Sequence, residues 1–249
     1  MKFKIQCNET CIIDERFKIQ DTFLYDIKEK VLFIADTHIG LEEYYKQQGI
    51  FLPRIIFNDL KERVEKTINN LEIKTIILLG DIKHEFGTIS KQEWIETISF
   101  FKMIKNYNLI LIKGNHDTIL KPITDKFNLQ IYSEFSFEDV LCVHGDKELG
   151  KIDKNIKYII IGHEHPAISL RKHGRVEKFK CFLLGKYKGK KLIVLPSAHN
   201  LTEGTDVLKE QLLSPLIHDL ENFEVIIIED KPYYFSKVKN LQKLMLELS

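Results

Sequence analysis

The sequence predicts a layered α/β fold built on mixed sheets, and three observations predict it. Unbroken apolar runs rich in Ile, Val and Leu recur along the chain, amphipathic helical stretches separate the early runs, and after about residue 128 closely spaced strand-like segments take over. Unbroken runs of four to six residues are what strands buried on both faces look like. The first are Val31 to Ala35 and Thr75 to Leu79. Between them Phe57, Leu60, Val64, Ile68 and Leu71 recur every three or four residues, which predicts a helix of about 16 residues. A second helix opens at Ser90, with Glu93 three residues on as a capping box and Trp94, Ile98 and Phe101 on one face. The runs continue as Leu109 to Ile112, Val140 to Val143 and Tyr158 to Ile161, then as Lys178 to Lys186 and Lys190 to Leu195 around a Lys-Gly turn. The tail holds strands at Glu224 to Ile228 and Tyr233 to Ser236 and a last short helix. Its Leu241, Leu244, Met245 and Leu248 read as core or homodimer packing.

A chain of 249 residues that is 44% hydrophobic buries a substantial core, which predicts one large domain or one domain with an appendage. The 37 Lys and Arg nearly cancel 36 Asp and Glu, leaving a net charge of +1. No whole-molecule field exists to hold a polyanion, so any nucleic acid must be gripped locally. Cys7, Cys11, Cys142 and Cys181 are too few and too irregular for a disulfide framework, and Cys7 and Cys11 lack the gap of a zinc knuckle. A cytoplasmic protein is expected. No apolar run approaches the ~20 residues of a membrane span, and the start is polar throughout, unlike a signal peptide.

The residues at the end of each apolar run carry the chemistry. Ile34-Ala35 runs into Asp36-Thr37-His38, Leu79 into Gly80-Asp81, and Lys113 into Gly114-Asn115-His116-Asp117. Later, Val143 runs into His144-Gly145-Asp146, and Ile161 into Gly162-His163-Glu164-His165. The carboxyl edge of an α/β sheet is where such folds place their sites. Crowding so many titratable groups costs several kcal/mol per unpaired charge, a cost that divalent ions convert into coordination. Nitrogen and oxygen ligands without thiolate point to Mn, Fe, Zn or Ni. There is no Gly-x-Ser-x-Gly elbow and no phosphate-binding Gly-Lys-Ser.

This ordered series, Asp36-x-His38, Gly80-Asp81, Gly114-Asn115-His116-Asp117, His144-Gly145 and Gly162-His163-x-His165, resembles the five blocks of the calcineurin-like metallophosphoesterases. The resemblance implies a four-layer α/β-β/α sandwich with two mixed sheets, a single domain over 1–249 with 206–249 as a C-terminal strand and helix extension. It implies two divalent ions, Mn foremost, bridged by Asp81. Asp36, His38 and His165 would complete one shell, and Asn115, His144 and His163 the other. His116 would protonate the leaving group, with Asp117 orienting it. Two such ions polarise the phosphoryl oxygens and hold a hydroxide at neutral pH.

Asp36-Thr37-His38-Ile39-Gly40-Leu41-Glu42 and Gly80-Asp81-Ile82-Lys83-His84-Glu85-Phe86 resemble the branch related to the SbcD nuclease subunit, including bacterial nucleases encoded beside a DNA ligase and a helicase. Leu195-Pro196-Ser197 and Thr202-Glu203-Gly204-Thr205 resemble the loop after the sheet in the same group. The 84 residues after His165 cannot supply SbcD's further DNA-binding and partner-binding region. The resemblance implies a Mn-dependent phosphodiesterase or nuclease acting on DNA in repair, with helicase or ligase association by resemblance alone. The alternatives are a phosphodiesterase or phosphatase acting on nucleotides and, more remotely, an inactive scaffold.

Other residues carry two readings each. Arg171, Lys172, Arg175, Lys178 and Lys180, then Lys186, Lys188, Lys190 and Lys191, form either a nucleic-acid tract or, the favoured reading, a solvated hairpin. His84 reaches the substrate phosphate or hydrogen-bonds a ligand carboxylate, and His199 is expected at the rim, with substrate contact as its other reading. His173 and His218 read as surface or structural histidines, Glu42 and Glu43 as a solvent-facing helix start, and Cys142 as a small buried hydrophobe.

Overall fold

The computed structural model describes residues 2–52, 55–85, 87, 89–172, 175–201 and 204–247. A first sheet of eight strands runs in chain order. β1 (Ile5–Cys7), β2 (Cys11–Ile13), β3 (Phe17–Gln20), β4 (Phe23–Asp26) and β5 (Val31–Ile34) form an antiparallel meander. Two helices leave β5, α1 (Leu41–Gln47) and α2 (Ile56–Asn70), before the chain returns as β6 (Thr75–Leu78). Then α3 (Lys91–Ile104) leads to β7 (Asn108–Ile112), and α4 (Lys121–Thr124) to β8 (Ile131–Tyr132). β5 through β8 are parallel neighbours.

The second sheet holds β9 (Glu134–Phe137), β10 (Val140–Val143), β11 (Tyr158–Ile161), β12 (Pro166–Lys172), β13 (Arg175–Tyr187), β14 (Lys190–Val194), β15 (Thr205–Asp206), β16 (Glu224–Ile228) and β17 (Pro232–Lys237). Its order is β15-β12-β13-β14-β11-β10-β9, with β16 on β13 and β17 on β16. β10, β11 and β14 are parallel, whereas β12, β13 and β16 pair antiparallel, so the sheet is mixed.

Alternation within each run explains why no polar residue interrupts it. Val31, Phe33 and Ala35 face the second sheet, together with Ile77, Leu79, Ile110 and Ile112. Their neighbours Leu32, Ile34, Ile76, Leu78 and Leu111 face outward and pack on Leu60 and Val64 of α2 and Phe100, Phe101 and Ile104 of α3. The second sheet does the same: Val140, Cys142, Ile160, Phe182 and Ile193 point inward. Leu141, Ile159, Ile161, Cys181 and Leu192 point outward onto Ile156, Val207, Leu216, Ile217 and the α5 (Val238–Glu247) residues Val238 and Leu241. Four layers result, the outermost on the second sheet being mostly irregular chain with one helix. Truncating a core ring such as Phe33 to alanine would cost about 3–5 kcal/mol.

Several local expectations are sharpened or corrected. The helix expected from Phe57 to Leu71 ends one residue early, with Leu71 as an extended cap. Ser90 Oγ accepts the Glu93 N–H at 3.0 Å, but the Glu93 carboxylate does not return to Ser90. Its Oε1 instead accepts from the backbone N–H groups of His84 and Glu85. Glu42 is buried, not solvent-facing, because its Oε1 accepts the Ile56 N–H at the start of α2. Cys7 and Cys11 are register partners of the first hairpin and form a disulfide, which the cysteine count did not anticipate; an isolated cross-strand bond is neither framework nor knuckle. Leu241 is buried as expected. The side chains of Leu244, Met245 and Leu248, like His173, Phe86, Thr202 and Glu203, lie outside the described residues. Among the described residues no helix is long and apolar enough to cross a membrane.

Candidate metal centre

Five strand ends meet at one edge between the sheets. Asp36 and His38 follow β5, Asp81 follows β6, Asn115 and His116 follow β7, His144 follows β10, and His163 and His165 follow β11. Asp36, His38, Asp81, His163 and His165 all hold φ between 40° and 64°. A non-glycine residue there costs of order 1–2 kcal/mol, so the backbone turns sharply at these positions only because the packing around them dictates it. Adjacent glycines let the turns close. Gly80 has φ +90°, and a Cβ on it would lie 2.5 Å from His144 Nδ1; a Cβ on Gly114 would lie 2.2 Å from the Asp81 nitrogen.

The side chains converge around Asp81. His144 Nδ1 donates to the Leu79 carbonyl at 2.8 Å, which turns Nε2 toward Asn115 Oδ1 at 3.0 Å, His163 Nδ1 at 3.2 Å and Asp81 Oδ2 at 3.5 Å. On the other side, His38 Nε2 and His165 Nε2 approach to 3.3 Å. His165 Nε2 lies 3.4 Å from Asp36 Oδ1, and His38 Nε2 lies 3.9 Å from Asp81 Oδ2. Asp36, His38, Asp81 and His165 thus form one group of potential metal ligands and Asp81, His144 and His163 a second, sharing Asp81. His38, His84 and His116 form a third. The backbone N–H of His163 donates to both Asp36 oxygens, which joins the two sheets at the site.

The charges are mutually dependent. Burial opposes ionisation of Asp81, but the hydrogen bond and charge of His144 outweigh it and hold the carboxyl well below its usual range. Burial likewise opposes protonation of His144, yet bonding to Asp81 and the charges of Asp36 and Asp81 push it up to about 9. His38 and His163 are pushed down, chiefly by burial and then by neighbouring imidazoles. Neutral imidazoles whose lone pairs face each other repel, and a cation between them reverses the sign. The donor set of nitrogen and oxygen without thiolate fits a Mn, Fe, Zn or Ni type of ion.

A model of the calcineurin-like phosphoesterases matches residues 29–194. The chain belongs to that family. No curated protein matches the sequence. Among solved structures, the Pseudomonas putida nuclease MPE aligns with a TM-score of 0.63 at 19% identity, covering 91% of this chain and 96% of that one. The E. coli phosphoesterase Yfce aligns at 0.40 and 12% identity over 80% of this chain and 88% of its own. A Vps29 single mutant from Entamoeba histolytica aligns at 0.33 and 17% identity over 80% and 86%. The MPE alignment extends over both sheets, in keeping with a calcineurin-like phosphoesterase fold.

Around this candidate centre several expected residues sit differently. Asp117 is fully enclosed, and its carboxylate accepts from the backbone N–H groups of Ile82, Lys83 and Gly114. It holds the Gly114 turn against the 82–83 segment, whereas the His116 ring is bonded through Nδ1 to the His84 carbonyl at 2.5 Å. Burial, then the Asp81 charge, raises Asp117 to about 6. His84 meets an imidazole, His38 Nδ1 at 3.4 Å, in place of a ligand carboxylate, and burial followed by the His116 charge lowers it to about 4. His199 is no rim residue: it is 3% exposed and accepts the Leu201 N–H. Burial and then Lys180 lower it to about 3. His218 is at the surface beside Glu148, as expected.

The lysines largely serve the protein itself. Lys178 bonds Glu210 and the Gly204 carbonyl, Lys188 the Leu149 carbonyl, Lys190 the Lys154 carbonyl, and Lys191 Asp14. Lys180 is enclosed, donating to the carbonyls of Ser197 and His199. The side chains of Arg171, Lys172 and Arg175 lie outside the described ones. Sequence reasoning missed Lys180, Glu93 and Glu164 as supports of the site. Glu164, between two candidate ligands, accepts the N–H groups of Leu213 and Ser214, and burial raises it to about 7. Its place inside the Gly-His-Glu-His block was the one available signal.

Proposed function

We propose that the protein is a binuclear metal-dependent phosphodiesterase that cleaves DNA, a nuclease of the SbcD-related branch working in the cytoplasm. The observation that carries the reading is the pair of ligand groups sharing Asp81, with His116 beside them. Asp36, His38, Asp81 and His165 would hold one divalent ion, and Asp81, Asn115, His144 and His163 the other, Mn being the favoured metal. Bound there, two such ions supply Lewis acidity toward the phosphoryl oxygens and make water nucleophilic near neutral pH.

The protein's own groups do the rest. His116 Nε2 lies 3.8 Å from Asp81 Oδ2, so its ring edge faces the reaction centre and gives a proton to the leaving oxygen. The His84 carbonyl keeps the other nitrogen protonated. Asp117 fixes the turn that carries both Asn115 and His116. The DNA assignment rests on motif resemblance and on the name of the P. putida nuclease, whose fold is shared. One domain over 1–249 fits this reading, with β16, β17 and α5 completing the second sheet and its outer layer.

A panel of single-stranded DNA, duplex DNA and bis-p-nitrophenyl phosphate, run metal-free and with Mn, Fe, Zn and Ni, tests it. Metal-dependent DNA cleavage with Mn the best activator is expected. Hydrolysis of the small diester alone would move the assignment to nucleotide-sized substrates.

A further inference from the structure

We infer that the α1 face beside His116 is a nucleobase subsite, with Tyr44 as its stacking wall; this rests on the nuclease reading and names the part of the substrate the site reads. A groove of about 520 Å³ is lined by Tyr44, Tyr45 and Gln47 of α1 and by His84, Glu85 and His116. That volume falls within the roughly 300–1,000 Å³ of pockets that hold small organic ligands. Because His116 lines the groove and also faces Asp81, a group in the groove sits next to the metal centre, within reach of a nucleotide whose phosphate is there.

The lining selects the chemistry. No lysine or arginine is among the described residues of the groove, and Glu85 is there, so it does not attract a second phosphate. What it offers is ring faces and one amide. Tyr44 packs on His84 with centroids 4.8 Å apart at 64°, and His84 lies 5.4 Å from His116 at 30°. Tyr45 stands 6.0 Å from Tyr44 at 70°. Adjacent helix positions point about 100° apart, so the two tyrosines form a corner in place of a stack. Tyr44 is 38% exposed, leaving ring surface open for a flat heteroaromatic group. Gln47 brings both a donor and an acceptor to the edge of such a group.

The corner is held in place from behind. The His38 carbonyl accepts the Leu41 N–H at 3.2 Å, Glu42 ties α1 to the first residue of α2, and Gly40 packs so closely on Glu93 that a Cβ would lie 2.7 Å from its side chain. Tyr44 therefore sits at a fixed distance from His38, a proposed ligand. With Lys178, Lys180, Lys188, Lys190 and Lys191 bonded to the protein itself, stacking supplies a grip that those lysines do not.

The test uses the full chain with Mn and a short single-stranded oligonucleotide carrying one preferred cleavage site, intact or with abasic residues flanking that site. Removing the bases should lower wild-type kcat/KM by about tenfold or more, mainly through KM. Tyr44→Ala should cleave intact and abasic substrates equally, and Tyr44→Phe, which keeps the ring, should discriminate as the wild type does. Equal cleavage of both substrates by the wild type, or undiminished discrimination by Tyr44→Ala, would overturn the subsite and leave the nuclease reading standing. Hydrolysis of bis-p-nitrophenyl phosphate without cleavage of any oligonucleotide would overturn both. The wild-type comparison does not depend on how any variant folds.

Discussion

His116 Nδ1 donates to the backbone carbonyl of His84 at 2.5 Å, and this bond leaves Nε2 as the nitrogen that faces Asp81. A carbonyl can only accept, so the Nδ1 proton is fixed and the ring cannot flip without breaking the bond. The residue three positions after Asp81 thus sets the proposed acid through its main chain, whatever its side chain does.

His116→Ala should therefore keep the metals and lose turnover by about 10² to 10⁴-fold. Metal content by mass spectrometry and kcat on a phosphodiester measure the two separately. Wild-type turnover in this variant would refute the role.

Asp81→Ala removes the carboxylate that both ligand groups share. Bound metal should fall well below two ions per chain and activity to background. A variant that still holds two ions would show that the groups do not depend on a common bridge.

Gly114→Ala should act like a ligand mutation by pressing on one, since its Cβ would lie 2.2 Å from Asp81 Oδ1. The same Cβ would lie 2.2 Å from the Asp81 nitrogen, and over-packing of this kind costs typically about 1–3 kcal/mol. A lower melting temperature and reduced metal occupancy are expected. Gly150→Ala, with nothing within 4 Å of its Cβ, serves as control and should match the wild type in both.

Metal binding should release a proton. Without metal, His144 is raised to about 9, so at neutral pH it is protonated, while a ligand imidazole must be neutral. Apparent affinity should climb with pH up to about 9, by at most about one decade per pH unit for this single group. Calorimetry in buffers of different ionisation enthalpy reads the released proton directly, and no buffer dependence would contradict the protonated state.

Lys180 should make stability depend on pH in a defined direction. Burial, then the Arg63 charge, lowers it from 10.5 to about 7. Between those values the unfolded chain binds a proton that the folded one does not, so stability rises with pH across that window and is lowest below it. A neutral amine has two N–H groups, and two carbonyls, of Ser197 and His199, are there to accept them. Lys180→Met should flatten the rise in melting temperature between pH 7 and pH 9 relative to wild type. An identical slope in both proteins would remove Lys180 as its source.

Much of the fold was legible because burial on two faces leaves its own trace. Phe33 faces the other sheet and Ile34 the helices, so neither position tolerates a polar residue and the run reads as unbroken. The first four strands were not read, since three or four residues with Lys18 and Gln20 among them show too short a pattern to tell from loop. Glu93 fitted a local motif but bonds elsewhere, because the fold brings the N–H groups of His84 and Glu85 within hydrogen-bond reach of its buried carboxylate. Glu42 and His199 looked exposed for the same reason: a single polar residue carries no mark of the partner that encloses it.

The amino-acid sequence by itself determined which residue types stand at the ends of the central strands, and with them the family and the candidate ligand set. The tertiary structure alone decided that Asp36, His38, Asp81, His163 and His165 adopt left-handed backbone, that Asp117 supports the main chain, and that Tyr44 stands beside His84. The reason is physical. Strand periodicity is a local property written in every second residue, whereas a strained turn, an enclosed lysine or a ring at a groove wall exists only once distant segments pack against it.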